Sequence, residues 1–288
     1  MPMFFMISGF LYKQRSLKET IKRGGESLII PYILVNCILL IYTLIIAFVR
    51  GLYNSDLLTN CVVAIISGLG YKYGNYSPVC SAMWFFYTLF IVQVLVSLFG
   101  KFKRIGWTIL SIVSICVVIW QHYSQWDTLL PIDSVLTATP FFLAGYALRG
   151  MIPYFSSCRK LELLSILIII ICISLSLING RVDVDLCLTG NSVFLFYFIA
   201  IGISGSLILL AIFFNIEWRV AKVLSIGAPV VVGFNLLAIH IIRTFFRMLG
   251  FEWNDLIGII MGITLIVLFI PLILISKKYF PLILGNRK

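Results

Sequence analysis

The chain has 288 residues, of which 61% belong to the apolar set AVILMFWYC and only 11% are charged. A soluble domain is about half apolar and about a quarter charged, so a soluble fold is excluded, as are disordered, collagen-like and disulfide-stapled chains. The net charge of +11 fits the basic cytoplasmic loops of a membrane protein, so we assign the bilayer, and not nucleic acid, as its partner.

Apolar runs of about 20 residues recur along the chain, which is the length that an α-helix needs to cross a bilayer. These runs do not alternate polar and apolar residues as the strands of a membrane β-barrel do. The sequence therefore predicts an all-α, polytopic transmembrane helical bundle with eight full spans: Leu28–Val49, Ala82–Gly100, Ile105–Gln121, Ser134–Leu148, Leu161–Ile178, Asn191–Phe214, Leu224–Phe246 and Leu256–Ser276.

Two further apolar segments are too short to span. Met1–Tyr12 has no basic region and no cleavage site, so it is not a signal peptide, and we expect part of a helix there. Leu57–Gly70 is short and glycine-rich, which indicates an interfacial or re-entrant piece. Because no linker composition separates any of these segments, we expect residues 1–288 to form a single domain.

Lysine and arginine residues predict the orientation of the spans. If the segment Lys13–Arg23 is cytoplasmic, 17 of the 22 Lys and Arg residues lie inside, and the bias keeps its sign along the chain. The other five lie outside: Arg50, Lys72, Arg181, Arg243 and Arg247. The distribution predicts a multi-pass protein with a cytoplasmic C-terminus and an outer Met1.

His240 is the strongest candidate for chemistry, because ionisable groups inside membrane spans are costly. Arg243 and Arg247 follow it at the third and seventh positions, so the three side chains share one helical face toward the outer leaflet. Two nearby cations favour a neutral imidazole, which can act as a base or a hydrogen-bond donor. The alternative is an interfacial histidine beside arginines that reach lipid phosphates.

The inner segment Lys18–Ser27 is the second candidate. It places Lys22 and Arg23 beside the pair Gly24-Gly25, and basic residues next to a glycine loop can hold phosphates of a nucleotide-like ligand. The alternative is an ordinary basic loop on the cytoplasmic side.

Several weaker patterns have simpler interpretations. His122 precedes Tyr123 at an outer membrane edge and is interpreted as an aromatic-belt anchor, and Trp84 also fits an anchor. Asp183-Val184-Asp185 matches a metal-binding pattern of three residues, which is too short to be specific. The seven cysteines form no C-x-x-C pair, so they are interpreted as small core residues, and we predict neither a metal site nor a disulfide framework.

Six segments in a fixed order carry a resemblance to a known family. They read MPMFFMISGFLY, LIIPY, MWFF and FFLAGY, followed by NGRV with Gly190-Asn191 and Phe196-Tyr197, and by Ile226-Gly227 with Ile239-His240. Together they resemble the membrane acyltransferase 3 family, in particular the branch related to fucose 4-O-acetylases. The resemblance covers nearly the whole chain.

This resemblance implies an integral-membrane O-acyltransferase of the bacterial plasma (inner) membrane. It implies transfer of an acyl group, usually acetyl, from acetyl-CoA or another acyl-CoA as co-substrate to a sugar hydroxyl of a glycan, with no bound cofactor. The family's principal catalytic His belongs to a first transmembrane helix, which we expect this chain to lack.

The site residues are assigned on the same basis. His240 receives a supporting catalytic role, and Lys22 and Arg23 are assigned to acyl-CoA. Substrate binding is assigned to five residues: Arg243, Arg247, Trp84, Asn191 and Tyr197. The competing hypothesis is a non-enzymatic transporter or flippase for a lipid-linked glycan, although the sequence has no inverted-repeat signal.

Overall fold

The computed structural model describes residues 1–69, 79–80, 82–124, 131–155, 160–184, 187–214, 219–248, 250 and 255–285. The described helices, in chain order, are α1 Pro2–Leu11, α2 Leu17–Gly24, α3 Ile30–Val49, α4 Ser55–Ser67, α5 Trp84–Phe99, α6 Lys103–Ser124, α7 Ile132–Phe155, α8 Lys160–Asn179, α9 Val193–Phe213, α10 Arg219–Ile226, α11 Ala228–Met248 and α12 Asp255–Tyr279.

Short elements complete the described secondary structure. A π-helix, Gly25–Ile29, joins α2 to α3, and 3₁₀ turns cover Gly100–Phe102 and Pro281–Leu284. The strands β1, Val182–Asp183, and β2, Leu188–Thr189, form an antiparallel hairpin.

The predicted fold class is confirmed. Eight helices in the described ranges are long and apolar enough to cross a membrane, and their positions agree with the eight predicted spans. Pro2–Leu11 and Ser55–Ser67 are apolar but shorter, as the sequence predicts for these two regions. The protein is therefore an all-α, polytopic helical bundle with one small hairpin.

The structure corrects the prediction of an inner loop at Lys18–Ser27. This segment is helical, and the first candidate span runs from Leu17 to Val49 without a break. Pro31 lacks an N–H and cannot continue a regular helical ladder, and the wider π-helix precedes it. Gly24 has φ −64° and ψ −41°, so the glycine pair does not form a phosphate-binding loop.

The chain folds into two compact units. The first unit comprises residues 1–21 and 88–216, and the second comprises residues 22–87 and 217–288. Each unit is built from helices that are distant in sequence.

In the first unit, α1 packs against α7 at two glycines. A Cβ on Gly9 would overlap the backbone carbonyl of Phe142, and a Cβ on Gly145 would overlap that of Met6. Small residues let membrane helices approach closely and gain van der Waals contact. The fully buried ring of Phe5 accompanies this crossing, so the ten-residue α1 is an integral part of the unit's core.

Asn179 fixes the β-hairpin to the end of α8 in the same unit. Its amide donates to the carbonyl of Thr189 at 3.0 Å, and its Oδ1 accepts from the backbone N–H of Ser192 at 3.0 Å. The side chain is 1% exposed. An unsatisfied polar group would be costly in such a buried position. The same bonds also define the position of β2.

In the second unit, polar side chains of α3 hold Cys80, which precedes α5 in the chain. The Tyr32 hydroxyl donates to the carbonyl of Ile65 at 2.6 Å and lies 3.2 Å from Cys80 Sγ. Asn36 Oδ1 accepts from the backbone N–H of Cys80 at 2.7 Å. Cys80 has a φ of 59°, a conformation that is uncommon outside glycine, and these bonds hold it there.

The remaining core of the second unit is apolar. Gly227 lies against Ile273, and Gly233 lies against Val35, so side chains of neighbouring helices fill the space above each glycine. Buried residues of α11 and α12, including Ile242 and Phe269, complete the cluster.

Candidate functional site

A group of polar side chains lies where α6 ends and α7 begins in the first unit. We call Gln121, His122, Asp133 and Thr189 the outer cluster, because the charge distribution predicts that this end of the helices is outside. His122 Nδ1 lies 2.9 Å from Thr189 Oγ1, and Gln121 Nε2 donates to the carboxylate of Asp133. Two helix ends and the hairpin are therefore linked here by two polar pairs that start from adjacent residues of α6.

The local sequence accounts for this arrangement. Gln121 and His122 occupy the last turn of α6, and Asp133 lies in the first turn of α7, where a carboxylate is favoured by the helix dipole. Thr189 comes from β2, which Asn179 holds in place. Gln121 and Asp133 bond to each other directly, and the hairpin, which follows later in the chain, adds Thr189 as the partner of His122.

Burial distinguishes the members of the outer cluster. Gln121 and Asp133 are 8% and 7% exposed, Thr189 is 2% exposed, and His122 is half-buried. The Gln121 amide must direct its N–H toward the carboxylate, because its oxygen would be repelled there. Its Oε1 is then buried without a hydrogen-bond donor from any part of the chain that the structure describes.

The ring of His122 has one engaged and one accessible nitrogen. Thr189 contacts Nδ1, and the Tyr123 ring packs edge-on at 5.1 Å. Within the described ranges, Nε2 makes no hydrogen bond, and the atom is not buried. An imidazole that is oriented through one nitrogen can use the other for a ligand or a proton.

The residues predicted around His240 lie on one helix of the second unit. His240, Arg243 and Arg247 are exposed on α11, as the helical spacing predicts. The Thr244 hydroxyl donates to the backbone carbonyl of His240 at 2.8 Å, which leaves the imidazole unaffected. These three side chains can present a polar, positively charged face to an anionic ligand.

Trp84, Asn191 and Tyr197 have different environments. Trp84 is 4% exposed at the start of α5, in the second unit. Asn191 is exposed, but its amide donates to the carbonyl of Ile178 at 2.8 Å. Tyr197 is 7% exposed, and its hydroxyl donates to the carbonyl of Thr137 at 3.2 Å. The structure therefore gives Asn191 and Tyr197 local bonding roles.

Lys22 and Arg23 are exposed in the last turn of α2. Because this region is helical, any contact with phosphates would come from their side chains and not from a glycine loop.

A cavity of about 480 Å³ lies at the predicted inner end of the first unit. Trp107 forms one wall, held by a 3.1 Å bond from its indole N–H to the carbonyl of Val96, and Tyr146 lies edge-on at 4.7 Å. Its lining residues are Gln14, Phe102, Arg104, Ile105, Trp107 and Tyr146. Aromatic walls beside a guanidinium suit an anion with a planar or apolar part.

The sequence interpretation overlooked the polar partners of His122. An anchor at the membrane edge does not require a buried threonine to hold its ring, and Thr189 is 67 residues away in the chain. The available signal was the presence of polar residues, Gln121 and Asp133, at the facing ends of two consecutive predicted spans. Of the Asp183-Val184-Asp185 pattern, Asp185 lies outside the described residues.

The comparisons with known proteins agree with the architecture. A family model described as an acyltransferase domain, of the acyltransferase 3 family, matches residues 1–276. Comparison with curated proteins finds no significant match, and comparison with solved structures finds none either. The family model spans almost all of the chain, and the described ranges contain eight helices capable of crossing a bilayer. The chain therefore belongs to the acyltransferase 3 family and is an integral, multi-pass membrane acyltransferase.

Proposed function

We propose that the protein is an O-acyltransferase that moves an acyl group, most simply acetyl, from acyl-CoA to a sugar hydroxyl of a cell-surface or exported glycan. The match of the acyltransferase family model to residues 1–276 carries this proposal. The ordered motifs shared with the fucose 4-O-acetylase-like branch support a sugar acceptor. We place the protein in the bacterial plasma (inner) membrane with its C-terminus in the cytoplasm.

The reaction is an acyl exchange between sulfur and oxygen. The acceptor oxygen attacks the thioester carbonyl carbon, the C–S bond breaks, and coenzyme A leaves as its thiol. The proton that the hydroxyl loses passes to a base and balances the thiolate. A histidine in this role contributes about 10²–10⁴-fold.

We assign the donor to the inner face. Lys22 and Arg23 are exposed cations in the last turn of α2 and can bind the phosphates of acyl-CoA. The inner cavity with Arg104 is a second place of suitable chemistry. Separate replacement of Lys22 and of Arg104 by Ala, with the KM for acyl-CoA as the readout, distinguishes the two.

We assign acceptor contacts to the face of α11. His240 supports catalysis there, and Arg243 and Arg247 provide positive charge for an anionic glycan. Trp84 remains a proposed substrate residue at the start of α5. Asn191 and Tyr197, in the first unit, remain proposed substrate residues in addition to the backbone bonds that they make.

A genetic experiment tests the proposed function. The gene is deleted and then restored at its own locus, and the ester-linked acetyl content of the surface glycan is measured by NMR. We expect the acetyl groups to disappear on deletion and to return on restoration. Membranes from the restored strain should also transfer labelled acetyl from acetyl-CoA to that glycan.

Two outcomes would contradict the proposal. Unchanged acetylation in both strains would exclude a role in glycan acylation. Unchanged acetylation together with loss of glycan export would favour the transporter hypothesis. Expression is controlled with a second restored strain that carries the conservative change Ile263→Leu. Ile263 is an exposed apolar residue of α12.

A further inference from the structure

His122 is held in a way that an interfacial anchor does not require. Its neighbour Tyr123 is 80% exposed, as expected for an aromatic side chain at a membrane edge. His122 instead directs Nδ1 toward the buried Thr189 hydroxyl, at 2.9 Å. Of two adjacent aromatic residues, only one is fixed by a residue distant in sequence.

This bond leaves Nε2 as the nitrogen available for a ligand. No described residue contacts Nε2 by a hydrogen bond, and the atom is not buried. Either tautomer of the ring can hydrogen-bond a hydroxyl group, since the hydroxyl is both a donor and an acceptor. A hydroxyl-bearing ligand therefore suits this nitrogen in either protonation pattern of the ring.

The buried part of the outer cluster also contains an unsatisfied polar atom. Gln121 is more than nine-tenths buried, and its Oε1 lacks a donor within the described chain. A buried acceptor without a donor is costly in a folded protein, so this oxygen marks a polar group that the described chain leaves unsatisfied. Asp133, bonded to the other end of the same amide, fixes the direction of that oxygen.

We propose that the outer cluster is a binding site for a hydroxyl-bearing part of the acceptor, with His122 Nε2 as the contact atom and Thr189 as the positioning residue that fixes the imidazole. This inference rests on the proposed function, because it assigns the acceptor of the same reaction to these residues. It is distinct from the contacts proposed on α11.

The first experiment separates contact with the acceptor from a structural role. The amide of His122→Asn can replace Nδ1 as the partner of Thr189, but Asn has no atom at the position of Nε2. We expect acetyl transfer to the glycan to fall at least about tenfold in this variant, with protein levels unchanged. Tyr123→Ala is the matched control at the same helix end and should retain activity within about twofold.

The positioning role of Thr189 has its own test. Thr189→Ser keeps the hydroxyl and should retain activity, whereas Thr189→Val removes it and should lower kcat/KM for the acceptor by about threefold to tenfold. In protein labelled with ¹⁵N-histidine, His240→Gln leaves His122 as the only signal, since the chain has two histidines. Thr189→Val should then change the tautomer ratio of that ring, and Thr189→Ser should not.

The outcomes distinguish the two proposals. Full activity of His122→Asn in an active wild-type background would overturn this inference and leave the proposed function intact. Equal losses in His122→Asn and Tyr123→Ala would show that both residues are anchors and would also overturn it. Absence of acyl transfer by the wild type would overturn the proposed function and, with it, the assignment of an acceptor to this site.

Discussion

Several polar side chains within the described helices bond to backbone atoms of other segments. Asn36 holds the N–H of Cys80, Asn179 holds β2, and the hydroxyl of Tyr197 bonds to a carbonyl of α7. Each bond satisfies a group that would otherwise be costly in an apolar environment. At the scale of residues, a buried polar group that lacks such a partner is therefore the better indication of a functional site.

Replacing His240 by Ala tests the residue assigned from the sequence. His240 is exposed on α11, so its loss creates no core cavity, and the variant should insert and fold normally. We expect glycan acetylation to fall at least about tenfold, equivalent to about 1.4 kcal/mol of transition-state stabilisation. Thr244→Ala, one turn further along the same helix, is the control. Full activity of the His240 variant would remove this residue from the site.

The sequence predicts some site residues better than others. The common face of His240, Arg243 and Arg247 follows from helical spacing and is found in the structure. The bond between His122 and Thr189 could not be predicted, because it depends on how a hairpin folds back over α6. Local periodicity contains no information about such a distant pair.

At the scale of elements, glycine determines how closely α1 and α7 approach. Gly9 and Gly145 each face a backbone carbonyl of the other helix, which leaves no room for a side chain. Gly150, also on α7, has open space beside it. The same residue type is therefore essential at one position of this helix and replaceable at another.

Gly145→Val should destabilise the first unit. The added side chain would force α1 away from α7, and such overpacking costs about 1–3 kcal/mol. We expect a lower melting temperature of the purified protein in detergent and faster proteolysis. Gly150→Val, on the same helix, should leave both properties close to those of the wild type. Equal melting temperatures for the two variants would contradict the close packing of these helices.

The positions of the membrane helices were largely predictable, because each consists of an apolar run of the required length. The continuity of α2, the π-helix and α3 was not predictable from Lys18–Ser27. Basic residues and two glycines there suggest a loop, whereas the backbone remains helical through them. Local propensity was overridden by the continuation of the helix that follows.

At the scale of the whole molecule, charge predicts the topology. Most Lys and Arg residues fall on one side of the eight helices, and an even number of spans from an inner Leu17 returns the chain to the inside. The predicted orientation also places the outer cluster outside. The cluster lies at the end of α6, and the basic residues lie at the start of that helix. The proposed assignment of the acyl-CoA phosphates to the inner face and of the acceptor contacts to the outer face depends on this orientation.

Fusion of reporters after Lys288 tests this topology. A reporter that is active only in the cytosol should be active at this position, and one that requires export should be inactive. A reporter inserted after Arg50, between α3 and α4, should give the opposite pattern and serves as the control. Export of the C-terminal reporter would invert the orientation and place the outer cluster in the cytoplasm.

The crossing of α1 and α7 has a consequence for biosynthesis. Gly9 is made about 130 residues before its partner Phe142, which at 5–20 residues per second is a delay on the order of ten seconds. Throughout this interval Gly9 lacks the α7 backbone against which it packs. Assembly of the first unit is therefore a late event in translation, because it waits for α7 to emerge.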